Sequence, residues 1–270
     1  MKTVSPNTDN SFTTILLRIT FIISTFVTIF VFSENIEAVE KDFPFYPGEK
    51  LIFQLKWTLI PAGEGILEIL PIETINGIKA YHFVLTARSN SFVDFFYKVR
   101  DRIDAYTDIE MTRTILYKKK QREGKTQKDV VVHFNWNKNK ARYSNMNKVR
   151  EPINVLEGAF DPLSAFYYAR LFDLKEQLTI ERPVTDGKKC IIGKVLVIKR
   201  ETLKLPIGTY DTFLIEPQVK YVNVVFEKSE NAKIQIWVTA DKRRMPVKIK
   251  SKVLVGSFVG ELVSVTGLEK

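Results

Sequence analysis

The sequence predicts a mostly β protein: a large curved antiparallel sheet or partly open β-barrel with one central α-helix at residues 162–174. Three observations predict it. Apolar and polar residues alternate in run after run, as in Leu51, Phe53, Leu55 and Trp57 set against Ile52, Gln54, Lys56 and Thr58; that period places one face of each strand in a core. Turn signals recur at short intervals, among them Asn76-Gly77, Glu123-Gly124, Asp186-Gly187 and Leu205-Pro206-Ile207-Gly208. One stretch outside the N-terminal leader, Gly158 to Leu174, reads as helix instead. Asp161 suits its N-cap and Pro162 its first position, where a missing N–H costs nothing. Its apolar residues spread all round, so the helix is expected to be enclosed, with long strands curling about it.

The chain has 270 residues with a net charge of +10, 45% hydrophobic and 12% aromatic residues, enough for a sizeable core. Residues 1–38 read as a signal peptide. Lys2 and Arg18 supply its positive region, and Ile19 to Phe32 is an uncharged run of fourteen residues. That run is shorter than the ~20 residues that cross a bilayer. Ser33 or Ala38 could end it, and an uncleaved N-terminal anchor is the alternative. No cysteine follows the run closely, so there is no lipobox. The expected product is one exported, periplasmic β-rich domain, residues 39–270. Losing Lys2, Arg18, Asp9, Glu34 and Glu37 moves the net charge from +10 to +11. Outside the cytoplasm such a charge suits anionic lipid headgroups or acidic envelope polymers better than nucleic acid.

In chain order, Phe43 to Gly48 is a Pro-broken entry, and Leu51 to Leu59 opens three antiparallel strands continued by Gly65 to Ile72 and Lys79 to Ala87. Ser91 to Tyr106 reads as one long aromatic strand, with Asp101 on the same side as Val99, Ile103 and Ala105. Thr114 to Arg122 and Lys128 to Asn135 form a hairpin with a basic tip, and a short strand follows near Arg142 to Met146. After the helix come Gln177 to Arg182, Lys188 to Ile192, Val195 to Arg200, Tyr210 to Val225, Lys233 to Ala240, Val247 to Val255 and Ser257 to Val265, about a dozen strands in all. His82 and His133 are read as surface histidines, and the single cysteine, Cys190, as part of a strand core.

Several segments in order resemble a known family: PGEKLIFQLKW (47–57) with AGEG (62–65), YKVRDRIDAY (97–106), FDPLSAFYYAR (160–170), DGKK (186–189), LPIGTYDTF (205–213), IWVTADKRRMPVKI (236–249) and GELVSV (260–265). The family is the exported bacterial group called domain of unknown function 3108. The resemblance runs from about Pro47 to the C-terminus and implies an export signal followed by a β-rich domain. It brings no reaction and no catalytic residues. At the level of architecture alone, the pattern is also similar to periplasmic lipoprotein carriers whose curved sheet cups an acyl chain under a helical lid.

The chemistry of the residues points away from an enzyme. There is no G-x-S-x-G and no H-E-x-x-H, and Asp101, Asp104 and Asp108 lack the spacing of a calcium loop. Carboxylates such as Asp94, Asp101, Glu216 and Glu261 are no more than any chain of this size offers. No cofactor or metal is expected.

Two features carry a functional reading. Arg170 lies on the same helix face as Leu163, Phe166 and Tyr167. It is expected to pair with Asp101, or with Glu261, inside the sheet, or else to capture an anion. A groove between sheet and helix would be lined by Phe166, Tyr167, Trp57, Phe95 and Tyr97 together with Arg170 and Asp101. The second feature is the cluster Lys242, Arg243, Arg244, Lys248, Lys250 and Lys252, read as either a solvated edge or an anionic-headgroup contact. The reading is therefore a non-enzymatic exported protein that binds an amphiphilic or lipid-like envelope component. Its alternative is a structural β-barrel acting through envelope proteins.

Overall fold

The computed structural model describes residues 42–218, 233–252 and 257–268. The expected signal peptide, the extension of a strand to Val225, the turn at 228–231 and Gly256 lie outside the described residues. The described residues from Phe43 onward belong to one compact unit.

Among the described residues there are fifteen strands and two helices. The strands before the central helix are β1 (Lys50–Trp57), β2 (Ile60–Ile75), β3 (Ile78–Ser89), β4 (Arg100–Asp108), β5 (Thr114–Glu123), β6 (Thr126–Asn135), β7 (Lys140–Asn145), β8 (Lys148–Val149) and β9 (Ile153–Asn154). Those after it are β10 (Thr179–Thr185), β11 (Cys190–Leu205), β12 (Gly208–Pro217), β13 (Lys233–Thr239), β14 (Pro246–Lys252) and β15 (Ser257–Thr266). They form one antiparallel sheet in the order β10-β11-β12-β13-β14-β15-β1-β2-β3-β4-β5-β6-β7-β8, with β9 on β7. The two halves of the chain meet in the middle of this order, where β1 pairs with β15 from Lys50↔Thr266 to Trp57↔Phe258.

Local sequence sets the hairpins. Asn76 and Gly77 take φ of 51° and 81°, the pair of left-handed residues that a tight two-residue hairpin needs. The sheet curls without closing. The β10–β11 turn meets β6 and β7 by side-chain packing, and it does so at Gly187, where a Cβ would fall 2.7 Å from Val132. β11 is a single long strand: the residues read as two runs continue into each other through Gly193 and Lys194, and its ladder with β12 shifts register between Val197 and Lys199.

The central helix α2 spans Pro162–Ala169, shorter than the expected 162–174. Asp161 caps it, accepting from the backbone N–H groups of Leu163 (2.8 Å) and Ser164 (3.1 Å), and is itself buried and bonded by Thr114 Oγ1 at 2.7 Å. Burial pushes the Asp161 carboxyl above its ordinary range. The helix ends because Arg170 N–H turns to Tyr167 O and Leu171 N–H to Tyr168 O, tightening the last turn.

That tightened end delivers Arg170 to its partner, Glu49, at 2.6 and 2.9 Å. Both residues are only 2% exposed. The guanidinium also donates to Pro44 O and Arg243 O and lies over the rings of Phe45 and Tyr167. The expected partners are engaged elsewhere. Asp101 accepts from Arg122 N–H at 2.8 Å, and Glu261 binds Lys56 and Lys248.

A second helix, α1 (Ser91–Tyr97), replaces the first half of the long strand expected from Ser91 to Tyr106. Asn90 is its N-cap, its side chain accepting from Val93 N–H at 2.9 Å. Asp94 in its first turn is bound by Ser89 and by Arg100. This local network overrides the β preference of a Phe-rich run. Two further expectations need correction. His82 is a buried residue, 4% exposed, held between Glu73 Oε1 (2.6 Å) and Asp104 Oδ1 (2.9 Å) and stacked on Tyr106. Cys190 is only half-buried, its Sγ accepting from Leu156 N–H. His133 is exposed, as expected.

Arg170→Met is expected to cost about 3–5 kcal/mol in urea unfolding, because it strands a buried carboxylate. Adding Glu49→Met should recover most of that loss. A single substitution costing under about 1 kcal/mol would place the pair among weak surface bridges.

Candidate functional site

The strand register gives the sheet two ends. At the α2 end lie Thr107, which bonds Ser164, and Thr114, together with Glu49 and the β13–β14 turn that offers Arg243 O to Arg170. This end is filled. Tyr167 is 0% exposed and stacks on Phe83 with ring centroids 4.0 Å apart, while Phe45 meets it edge-on at 5.3 Å. Phe166 is half-buried and packs against both large core clusters. Of the residues expected to line a groove, Arg170, Phe166 and Tyr167 thus belong to the packing that seats α2.

Toward the α1 end the same face of the sheet changes character. Phe83↔Ala105, Leu85↔Ile103 and Ala87↔Asp101 continue the inward row, and Ala105↔Tyr117 and Ile103↔Lys119 extend it to β5. Leu55, Leu85 and Ile103 are half-buried here, in contrast to Phe53 and Phe83 one step closer to α2. Gly65 and Gly260, on the strands either side of β1, leave room for the Leu55 side chain, which would lie 3.4 and 3.2 Å from a Cβ at those positions.

Polar groups join this wall at its outer limit. Burial raises the Asp101 carboxyl to about 6; the Arg122 N–H works against the rise, and Glu123, which shares a hydrogen bond with Asp101, adds to it. On the same face of β5, Gln121 has its Oε1 buried with no hydrogen-bond partner. The reverse face is differently charged. Burial opposes ionisation of Asp104, but hydrogen bonds from His82 and Arg102 outweigh it and hold the carboxyl at about 2.

Trp57, Phe95 and Tyr97 all lie at the α1 end of the sheet, Trp57 at the end of β1 and the other two in α1 itself. Trp57 closes β1 opposite Phe258 and Ile60. Asn90 ties α1 to the start of β2 through its N–H to Ala62 O and its Nδ2 to Pro61 O. Tyr97 lies against Gly124 at the β5–β6 tip, where a Cβ would fall 2.7 Å from the ring. Sequence reasoning missed Phe92 and Phe96. Their signal was present as Phe92, Phe95 and Phe96 at helical spacing behind a capping Asn90.

The basic cluster does not form one surface. Lys242 and Arg243 are exposed in the turn at the α2 end, where Arg244 binds Asp173 and donates to the backbone O of Arg170. Lys248 binds Glu261 at 3.0 Å and lies over the Trp237 ring, and Lys250 is half-buried two residues on. The side chain of Lys252 lies outside the described residues. Among the described residues no three His, Cys, Asp or Glu side chains converge as a metal site, and no helix is long and apolar enough to cross a membrane.

A large antiparallel sheet, curled but not closed, defines a β-barrel-like protein. A β-barrel-like protein of domain of unknown function DUF1849 from Brucella abortus shares this fold at a TM-score of 0.53 and 10% identity, over 81% of this chain and 97% of that one. A protein provisionally described as a lipoprotein from Parabacteroides distasonis aligns at a TM-score of 0.33 and 12% identity, over 83% and 97% of the two chains. A comparison with curated proteins finds no match. The model of the family "protein of unknown function (DUF3108)" matches residues 52–263, and the chain belongs to that family.

Asp101 gives a pH dependence of known sign. Its folded pKa of about 6 lies above its ordinary 3.8, so the folded state holds the proton longer than the unfolded chain. Its contribution to stability therefore falls as pH rises from about 4 to about 6 and stays low above that. The melting temperature of Asp101→Asn minus that of wild type should grow across this window, read by thermal unfolding at pH 4, 5, 6 and 7. A difference that is flat in pH would contradict the assignment.

Proposed function

We propose that this DUF3108 protein is a non-enzymatic, exported envelope protein that binds an amphiphile on the concave face between α2 and the α1 rim. The apolar part of the ligand lies against Leu55, Leu85 and Ile103, and its polar part reaches Gln121, with Trp57, Phe95 and Tyr97 at the mouth. One observation carries this reading: a buried, unsatisfied acceptor, Gln121 Oε1, stands on the same face as aliphatic side chains left half-buried in an otherwise dense interior. An acceptor so placed costs about 1–3 kcal/mol until a donor reaches it. A hydroxyl or amide on a lipid-like molecule would supply that donor while covering the apolar wall.

The reactive side chains support a binding role over a catalytic one. Burial pushes the Cys190 thiol up, away from the thiolate needed for attack. Both ring nitrogens of His82 are taken by carboxylates. An envelope ligand is in keeping with the export signal read from the N-terminal run and with the chain's net charge of +10. The second reading, a filled barrel that acts as a scaffold through protein partners, is favoured by the dense packing around Tyr167.

Native mass spectrometry of the protein, purified without detergent from its exported location, separates the two. The expected result is a copurified mass that is lost on delipidation and identified as an amphiphile by extraction. Gln121→Leu should fold as well as wild type and retain about tenfold less of it, the equivalent of one hydrogen bond. A clean apo mass from freshly isolated protein would select the scaffold.

A further inference from the structure

The α1 rim carries a concentration of outward-facing apolar side chains that the interior does not use. Phe258, Trp57, Leu59 and Ile60 occupy the strand ends and turn at the β15–β1–β2 edge, and Phe92, Phe95, Phe96 and Tyr97 follow on α1. These positions are continuous. Thr58 N–H bonds Ser257 O, Asn90 bonds Pro61 O and Ala62 O, and Gly124 N–H bonds Lys98 O. No residue of α1 is buried, so the helix contributes nothing to the core that would account for three phenylalanines.

The exposure is graded. Leu59, Phe95 and Phe96 stand furthest out, at 85%, 84% and 72%, whereas the amphipathic Trp57 and Tyr97 sit further back, at 43% and 44%. Exposed lysines, Lys98 and Lys125, flank them in the adjoining turns, with Lys118 and Lys120 exposed along β5. Three of the acids nearby are paired, Asp94 with Arg100 at 2.6 Å, Glu64 with Arg88 at 2.6 Å and Asp129 with Arg122 at 2.8 Å, while Glu123 at the β5–β6 tip shares a hydrogen bond with Asp101. A bilayer interface asks for this order, with Leu and Phe towards the acyl chains, Trp and Tyr at headgroup level and Lys reaching anionic phosphates. The side chains sit on strand ends, a turn and a short helix at one end of the sheet, an uneven set that enters a fluid surface more readily than it matches a rigid partner.

We propose that the α1 rim docks this protein onto an anionic membrane surface. The inference shares Trp57, Phe95 and Tyr97 with the mouth of the proposed amphiphile site but does not depend on a ligand: a protein can rest on a bilayer with an empty interior, and can carry a ligand without docking.

The test is cosedimentation of the full chain with vesicles of phosphatidylcholine alone and of phosphatidylcholine with one quarter phosphatidylglycerol. Wild type should partition onto the anionic vesicles. Phe92→Ser/Phe95→Ser/Phe96→Ser should fall at least tenfold with an unchanged melting temperature, and Lys98→Glu/Lys125→Glu should weaken binding only where phosphatidylglycerol is present. Because the variants share every other residue with wild type, contributions from the rest of the chain cancel. Quenching by lipids brominated on their acyl chains should be seen in wild type and lost in Trp57→Phe, since Trp237 is buried and Trp136 half-buried away from the rim. A triple variant that binds as wild type does, or an unquenched Trp57, overturns the proposal. So does a wild type that leaves vesicles unbound, which would turn the rim over to a protein partner. Gln121→Leu distinguishes the two readings: it should lower the copurified amphiphile and leave vesicle binding intact.

Discussion

The buried pair of Arg170 and Glu49 is the constraint on which the arrangement depends. One guanidinium gathers three segments far apart in sequence: the N-terminal entry through Pro44 O and Glu49, the end of α2, and the β13–β14 turn through Arg243 O. Removing two charges from water is expensive, and only full hydrogen bonding of both partners offsets it. Those requirements fix where α2 stops and which end of the sheet it fills. A cation at the helix C-terminus also complements the helix dipole.

With one end so occupied, the molecule becomes asymmetric along its strands. Aromatic rings interlock around Tyr167 at the α2 end, while at the α1 end the inward row thins to half-buried aliphatics and a polar fringe of Asp101 and Gln121. The same boundary separates aromatic residues that build the core from those that face outward on α1. Phe83 and Phe95 are equally apolar, yet one is 0% and the other 84% exposed. Their position relative to the Arg170 pair decides which.

Much of the sheet was legible in the sequence because its signals are local. Alternation located most strands, Asn76-Gly77 and Asp186-Gly187 marked real hairpins, and Asp161-Pro162 marked the true start of α2. What escaped was set by distance or by competition. Glu49 is 121 residues from Arg170, so no periodicity links them. Leu171 and Phe172 continue the apolar pattern past the point where Arg170 ends the helix. His82 alternates as an outward residue should, but Glu73 and Asp104 enclose it on that outer face. In the 91–97 stretch, aromatic β preference hid a cap that only Asn90 and Asp94 reveal. The rim was partly visible, through Trp57, Phe95 and Tyr97, but its unity depends on turns brought side by side by the register.

That register also orders events in time. Among the described residues β1 is the first strand of the sheet and β15 the last, yet they are neighbours at its centre. Until β15 is available, β1 keeps one edge open and the two halves of the chain share no ladder. Such long-range closure is slow compared with hairpin formation, and an open central edge is where a chain is most exposed to pairing with another copy. The protein therefore commits to its final form late, when the far end of the chain returns to the near one, and a helper that shields β1 in the interval would act at the most vulnerable moment of its assembly.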